Sequence, residues 1–212
     1  MSYFPMYTDI SNKKCIIFGG GKVAFRKVKV LLDFGADVMV IAPEIDDMIA
    51  EISGVICVYD DFKAEQLDEI NPYLVIAATS DKHINSKISQ ECKNRKIPVN
   101  VVDCPAECTF IFPSYLKSGE VVAAFSSGGQ SPVITQYLKK ETKEFLTDDV
   151  GVLAEKMAGL REQVKAVLNT ESVKKELYDE ILYSYLESGH FPTEEEFEQL
   201  LLKYQEKEKH AD

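Results

Sequence analysis

The segment Cys15-Ile16-Ile17-Phe18-Gly19-Gly20-Gly21-Lys22-Val23-Ala24 constrains this chain more than any other. A short apolar run enters a glycine cluster, and a helical pattern leaves it. The cluster spells G-x-G-x-x-A, the fingerprint of a strand–turn–helix that holds a dinucleotide. Each small residue has a physical task. Gly19 allows the tight turn, Gly21 lets a pyrophosphate approach the backbone, and Ala24 lets helix and strand pack closely. The N-terminus of the helix then offers unpaired N–H groups and the positive end of its dipole, at Lys22, Val23 and Ala24. The alternative is a glycine-rich turn without a ligand.

The surrounding pattern supports the first reading. Val23, Val28, Leu31 and Leu32 share one helical face over Lys22–Phe34, and Gly35 suits the residue after the cap. Further strands are expected at Val38–Ile41, Val55–Tyr59, Tyr73–Thr79 and Pro98–Val102, separated by helical stretches. Such alternation predicts an α/β fold with a Rossmann-like parallel sheet. Beyond Asp103 the pattern changes. Thr109–Pro113 and Val121–Phe125 read as two strands joined through Lys117-Ser118-Gly119-Glu120, and Ser131-Pro132 reads as a helix start. The remainder reads as helices, with a capping box at Thr193–Glu196. The expected organisation is a dinucleotide-binding domain over 1–113, a connecting segment over 114–147 and a small all-helical domain over 148–212.

Charge and composition exclude several classes. Lys and Arg number 24 against 35 Asp and Glu, a net charge of −11. That is a poor balance for gripping a phosphate backbone, so no nucleic-acid partner is expected. From Asp148 to Asp212 there are 16 acidic and 8 basic residues, so the excess sits in the helical third. No run approaches the roughly 20 apolar residues of a membrane span. Met1-Ser2-Tyr3-Phe4-Pro5 lacks a basic stretch followed by an apolar one, so a secretory leader is not expected. Five cysteines, at 15, 57, 92, 104 and 108, then read as reduced thiols of a cytoplasmic protein.

Three places could carry chemistry. At the end of the second strand the fingerprint calls for an acidic residue that holds the adenosine ribose. The chain has Ile41-Ala42-Pro43-Glu44, so Glu44 stands two places late. It either reaches the ribose or caps the next helix. No arginine is there to receive a 2′-phosphate, which favours NAD over NADP. Asp103 follows Val99-Asn100-Val101-Val102 and falls at the carboxyl edge of the sheet, where ligands bind. It is either a proton acceptor beside a nicotinamide or an aspartate that opens a turn before Pro105. Ser126-Ser127-Gly128-Gly129-Gln130-Ser131 precedes a helix, so its amides either hold an anion or form a plain turn.

Other signals are discounted. Cys104 and Cys108 have no second Cys or His pair at zinc spacing, so no metal site is expected. Tyr59 and Lys63 show a Y-x-x-x-K spacing, but at a strand end where they share no helical face. His83 and His190 stand alone, and neither H-E-x-x-H nor G-x-S-x-G occurs.

Several segments occur in a specific order: Tyr3–Tyr7, Gly19–Ala24 with Arg26-Lys27, Ile76–Thr79, Asn100–Asp103, Phe110–Ser114 and Ser126–Pro132. Together they resemble the precorrin-2 dehydrogenase/sirohydrochlorin ferrochelatase family of siroheme biosynthesis, over about residues 1 to 140. The resemblance implies oxidation of precorrin-2, a tetrapyrrole, to sirohydrochlorin with NAD⁺. It implies a homodimer in which the 114–147 segment mediates dimerisation. It assigns the catalytic role to Asp103 and places Ser126, Ser127, Gly128, Gly129 and Gln130 at the tetrapyrrole pocket. It puts Gly19, Gly21, Lys22, Val23, Ala24, Pro43, Glu44 and Thr79 around the cofactor. Some members also insert ferrous iron, and some are fused to a uroporphyrinogen methyltransferase domain, for which this chain is too short. In some relatives the serine matching Ser127 is phosphorylated. The alternative of another class is a non-catalytic NAD-sensing regulatory module, which needs neither Asp103 nor the Ser126–Pro132 segment.

Overall fold

The computed structural model describes residues 3–210. Met1 and Ser2, part of the leader reading, and Ala211 and Asp212, the end of the expected helical domain, lie outside the described residues. The chain divides into two units: residues 1–113 with 126–131, and residues 114–125 with 132–212.

The first unit is built on five parallel strands. They are β1 (Lys14–Phe18), β2 (Asp37–Ile41), β3 (Val55–Val58), β4 (Leu74–Ala77) and β5 (Val99–Val101), in the spatial order β3-β2-β1-β4-β5. Between them run α1 (Lys22–Asp33), α2 (Asp47–Ala50), α3 (Glu65–Ile70) and α4 (Lys82–Asn94). Successive side chains of a strand face opposite sides, so the sheet carries two cores. Cys15 and Ile17 join Val28, Leu31, Val38, Val40 and Ile76 on one face. Ile16 and Phe18 join Ile41, Val75, Ile88, Cys92 and Val99 on the other. All four residues of β4 are buried, as in a strand covered on both faces. Each fully buried Ile or Leu stabilises the unit by about 1.5–3 kcal/mol. The edge strand β3 is the exception, and its Ile56 is 57% exposed. Helix α1 ends where the sequence predicts. Gly35 has φ +73°, and the N–H groups of Gly35 and Ala36 donate to Leu32 O at 2.9 Å and Leu31 O at 3.1 Å.

The expected strand at Thr109–Pro113 does not form. Thr109 spends its hydrogen bonds on β5, its N–H donating to Val99 O at 2.8 Å and its hydroxyl accepting from Val99 N–H at 2.7 Å. Phe110 and Phe112 pack against the first core. The hairpin lies later, as β6 (Ser114–Ser118) and β7 (Val121–Phe125), joined by the two-residue turn Gly119-Glu120.

That hairpin belongs to the second unit, with α5 (Pro132–Lys143), α6 (Asp148–Gly159), α7 (Arg161–Val167), α8 (Glu171–Ser188) and α9 (Glu194–Lys209). Ser118 ties it to α6: its hydroxyl accepts from Gly151 N–H at 2.9 Å and faces Thr147 O at 2.8 Å. Val164, Leu168, Leu177, Ile181, Phe197 and Leu201 form the helical core. Thr193 and Glu196 form the expected capping box on α9. Among the described residues no helix is long and apolar enough to cross a membrane.

Candidate cofactor and active site

The sheet order reverses between β1 and β4: β2 and β3 lie to one side, β5 to the other. Ligands of open α/β sheets bind at this switch point, beyond the carboxyl ends of the strands. Four segments emerge at that edge: Gly19–Gly21 after β1, Ala42–Glu44 after β2, Ala78-Thr79 after β4 and Val102-Asp103 after β5.

The three glycines are required for different reasons. Gly19 has φ +119°, and a Cβ there would stand 2.3 Å from Ala78 O. A Cβ on Gly20 would stand 2.1 Å from Glu44 O and 2.7 Å from Ile45 Cα. The chain packs backbone to backbone here, and Asp46 N–H donates to Gly20 O at 2.9 Å. The motif treats this middle position as arbitrary, so its steric role escapes the sequence reading. Gly21 is the opposite case. Its φ of −95° and ψ of −169° are ordinary extended backbone, and a Cβ on it would meet nothing within 4 Å. The protein's own packing gives no reason for a glycine at that position.

Gly21 caps α1 without a side-chain hydrogen bond, and the first turn carries no acidic residue. The first intrahelical bond is from Phe25 N–H to Gly21 O at 3.0 Å. The N–H groups of Lys22, Val23 and Ala24 therefore point out of the helix toward the open side of Gly21. Ala24 is fully buried against the sheet, as its place in the motif requires. Lys22 and Arg26 are exposed on the same helix. Lys27 is half-buried, its Nζ 3.7 Å from the centroid of the Phe112 ring. Burial pushes its pKa down, and the neighbouring Arg26 adds to the effect. A dinucleotide fits this cradle: uncapped amides and a cation for the pyrophosphate, and free space where a side chain would obstruct it.

The two remaining walls are also defined. Glu44 is exposed after the exposed Pro43. The cap of α2 is Asp46, whose carboxylate accepts from Met48 N–H at 3.0 Å, so Glu44 is not used as the cap. Thr79 is held by Asn85, a buried asparagine in α4. Asp81 caps the same helix, accepting from His83 N–H at 2.7 Å. His83 itself is exposed.

Asp103 is exposed and sits in a turn closed by Cys104 N–H donating to Val101 O at 3.3 Å. Its φ is +58°, a conformation glycine adopts freely and aspartate tolerates better than most residues. Val102 N–H donates to Ala77 O at 3.0 Å, so the turn springs from the strand beside the one that carries Thr79. Two buried or half-buried groups behind it were not foreseen. Asn100 Nδ2 donates to Phe110 O at 3.0 Å. The Cys108 sulfur accepts from Val101 N–H at 3.1 Å, and burial pushes that thiol's pKa up. Among the described residues no group of three or more His, Cys, Asp or Glu is arranged to hold a metal.

The Ser126–Ser131 loop groups with the first unit. Ser126 Oγ accepts from Gly128 N–H at 3.1 Å and Ser127 Oγ from Ser131 N–H at 3.0 Å. Gly128 and Gly129 have φ of +64° and +85°, and a Cβ on Gly129 would meet nothing within 4 Å.

The comparisons agree with this geometry. The profile of NAD_binding_7, an NAD(P)-binding family, matches residues 6–114. A protein of Actinobacillus succinogenes named siroheme synthase is 33% identical over 184 residues, covering 85% of this chain and 38% of its own length. Siroheme synthase 1 of Serratia proteamaculans is 35% identical over 182 residues, covering 84% and 38%. This chain thus spans well under half the length of those relatives. The solved structure of SirC, precorrin-2 dehydrogenase, superposes with a TM-score of 0.71 at 20% identity, covering 96% of this chain and 100% of that one, and shows the same fold. With the profile matched over half its length and the glycine cradle built to suit a dinucleotide, the chain belongs to the NAD(P)-binding family NAD_binding_7.

Proposed function

We propose that this chain is an NAD⁺-dependent precorrin-2 dehydrogenase, forming sirohydrochlorin in siroheme biosynthesis. The observation that carries the reading is the placement of Asp103. An exposed carboxylate stands at the sheet edge that also bears the open, uncapped glycine cradle. The relatives named siroheme synthase supply the substrate class.

The reaction removes one hydride and one proton from the reduced macrocycle. A nicotinamide cofactor held by this site would supply the hydride acceptor. Asp103 accepts the proton from the substrate carbon as the general base, its carboxylate standing open at the sheet edge. Gly19, Gly21, Lys22, Val23 and Ala24 seat the pyrophosphate. Pro43 and Glu44 border the adenosine ribose, where the Glu44 carboxylate bonds the hydroxyls and repels a 2′-phosphate, favouring NAD over NADP. Thr79 borders the cofactor on the β4 side. The many carboxylates of the tetrapyrrole call for cations and polar donors, which Arg26, the Ser126 and Ser127 hydroxyls, the Gly129 N–H and the Gln130 side-chain amide supply, with Gly128 shaping the loop.

The functional division that goes with this reading is 1–113 for the cofactor, 114–147 for dimerisation and 148–212 as a helical domain. Helix α5 buries none of its residues within the chain. It leaves Val133 74% and Tyr137 59% exposed, with Phe145 just beyond it at 78%. An apolar face of that kind supports a homodimer, which Tyr137→Glu should dissociate in sedimentation experiments. Five unpaired thiols suit a cytoplasmic enzyme.

The test is anaerobic. Precorrin-2 is generated in place and mixed with the protein and NAD⁺ or NADP⁺, and NADH and the sirohydrochlorin spectrum are followed together. The two should rise in step with NAD⁺. Binding of NAD⁺ with no NADH formed would replace the enzyme by a regulatory module. Ferrous iron added to the product, with and without protein, decides whether the chain also makes siroheme.

A further inference from the structure

A residue in a sparsely populated backbone region persists when its surroundings fix it, and such residues cluster at active sites. Asp103, at φ +58°, is one. The groups that fix it form a clasp centred on Cys108. The Cys108 sulfur accepts from Val101 N–H at 3.1 Å and approaches Asn100 Nδ2 at 3.6 Å. Its hydrogen can go to Val101 O at 3.3 Å or to Cys104 O at 3.4 Å. One sulfur thus bonds the residue two places before Asp103 and reaches the residue just after it. Burial keeps the group a thiol at neutral pH, so it retains the hydrogen it donates. The residue next to it is anchored to α4. Ser86 Oγ donates to Glu107 Oε1 at 2.7 Å, and the buried Ser89 Oγ donates to Glu107 O at 2.7 Å. The glycine cradle itself lies elsewhere, between β1 and α1.

We propose that Cys108 is a positioning residue for Asp103, fixing the direction of its carboxylate through the hydrogen bonds of the thiol to the turn. The proposal rests on the dehydrogenase reading above, in which Asp103 accepts the proton. A misplacement of about 1 Å at a proton acceptor costs up to roughly a hundredfold in rate, whereas a cofactor held elsewhere does not register it.

The experiment compares wild type, Asp103→Asn, Cys108→Ala, Cys108→Val and Cys108→Ser. It reads kcat and KM for precorrin-2, NAD⁺ affinity by calorimetry, and amide hydrogen exchange at Val101 and Cys104. Cys108→Ala should lower kcat about tenfold or more, with KM and NAD⁺ affinity within about twofold of wild type. Cys108→Val, which fills the space without hydrogen bonds, carries the same expectation should the alanine variant fail to fold. Cys108→Ser restores a donor and an acceptor and should return kcat to within about threefold of wild type. Exchange at Val101 and Cys104 should quicken in the alanine or valine variant and not in the serine one. Wild-type kcat in the apolar variants, or a serine variant as slow as they are, overturns the proposal. A wild-type chain that binds NAD⁺ yet makes no NADH overturns the dehydrogenase reading instead. Unchanged exchange in the apolar variants would then still show that Cys108 does not hold the turn.

Discussion

Asn85 and Thr79 hydrogen-bond each other three times. Asn85 Oδ1 accepts from Thr79 N–H at 3.1 Å and from its hydroxyl at 2.8 Å, while Asn85 Nδ2 donates to Thr79 O at 3.0 Å. Asn85 is buried in α4, six residues away along the chain. Beyond the end of β4, the side-chain amide takes over the pairing that a neighbouring strand would supply. Thr79 thereby keeps a fixed place beside Gly19, whose missing Cβ leaves room for the backbone of Ala78 and Thr79.

Asn85→Leu keeps the branched shape and deletes all three bonds, leaving Thr79 N–H and O without their side-chain partner. We expect a loss of about 1–3 kcal/mol, since an unmet buried group costs roughly that and Thr79 is half-buried. NAD⁺ affinity should fall in the same variant as the Thr79 wall loosens. Urea unfolding and calorimetry measure the two effects. Wild-type stability would mean that Thr79 finds other partners.

Gly20 and Gly21 should separate folding from binding. Gly20→Ala puts a methyl group 2.1 Å from Glu44 O, where only backbone can yield. It should lower the melting temperature, and NAD⁺ binding with it. Gly21→Ala enters open space with ordinary backbone angles and should leave the melting temperature unchanged. It should nevertheless weaken NAD⁺, and Gly21→Asp should weaken it further by placing a charge beside the pyrophosphate. Equal NAD⁺ affinity in wild type and Gly21→Asp would move the cofactor away from this loop.

Asp103→Asn tests the proton acceptor. The amide matches the carboxylate in size and keeps the same backbone preference for positive φ. Stability and NAD⁺ affinity should therefore hold. Dehydrogenation should fall by about a hundredfold or more, the usual contribution of a general base. The measurement is NADH formation at saturating NAD⁺ over a range of pH. A rate within about threefold of wild type would remove Asp103 from proton transfer.

The legible parts of this chain are those written in local chemistry. Tyr73–Thr79 reads as a strand because its run is almost wholly apolar, and the strand forms over Leu74–Ala77, covered on both faces. Gly19–Ala24 reads as a turn into a helix because a short apolar run enters the glycines and a helical pattern leaves them. Thr109–Pro113 misleads for the same reason. Its apolar, β-branched run imitates a strand, while its hydrogen bonds go to β5 and its phenylalanines to a core shared with α1. Gly20, Asn85 and Cys108 escaped because their partners, Glu44, Thr79 and Val101, come close only after folding. A faint signal existed for Asn85, since an asparagine inside a helix has a reason to be there other than propensity. Glu44 stayed ambiguous in the sequence because a carboxylate before a helix is a normal cap. Asp46 taking that cap leaves Glu44 available.

The last prediction concerns alkaline pH. Cys15 and Cys92 are fully buried, one in each core of the parallel sheet. Burial pushes both thiols up to about 12 from an ordinary value of 9.0, with the Asp37 charge adding to the rise at Cys15. A raised folded-state pKa stabilises the fold below the unfolded value, and that contribution is lost as pH climbs toward the folded one. Stability should therefore hold up to about pH 9 and decline from there toward pH 12, as unfolded chains gain two thiolates that the cores refuse. Urea midpoints recorded from pH 7 to 11 would trace the decline. A Cys15→Val, Cys92→Val double variant lacks both thiols and should lose much of it. Native Cys15 and Cys92 should also resist iodoacetamide at pH 8, whereas the half-buried and more accessible Cys57 and Cys104 should react sooner. A double variant with the same alkaline slope as wild type would assign the decline to other groups.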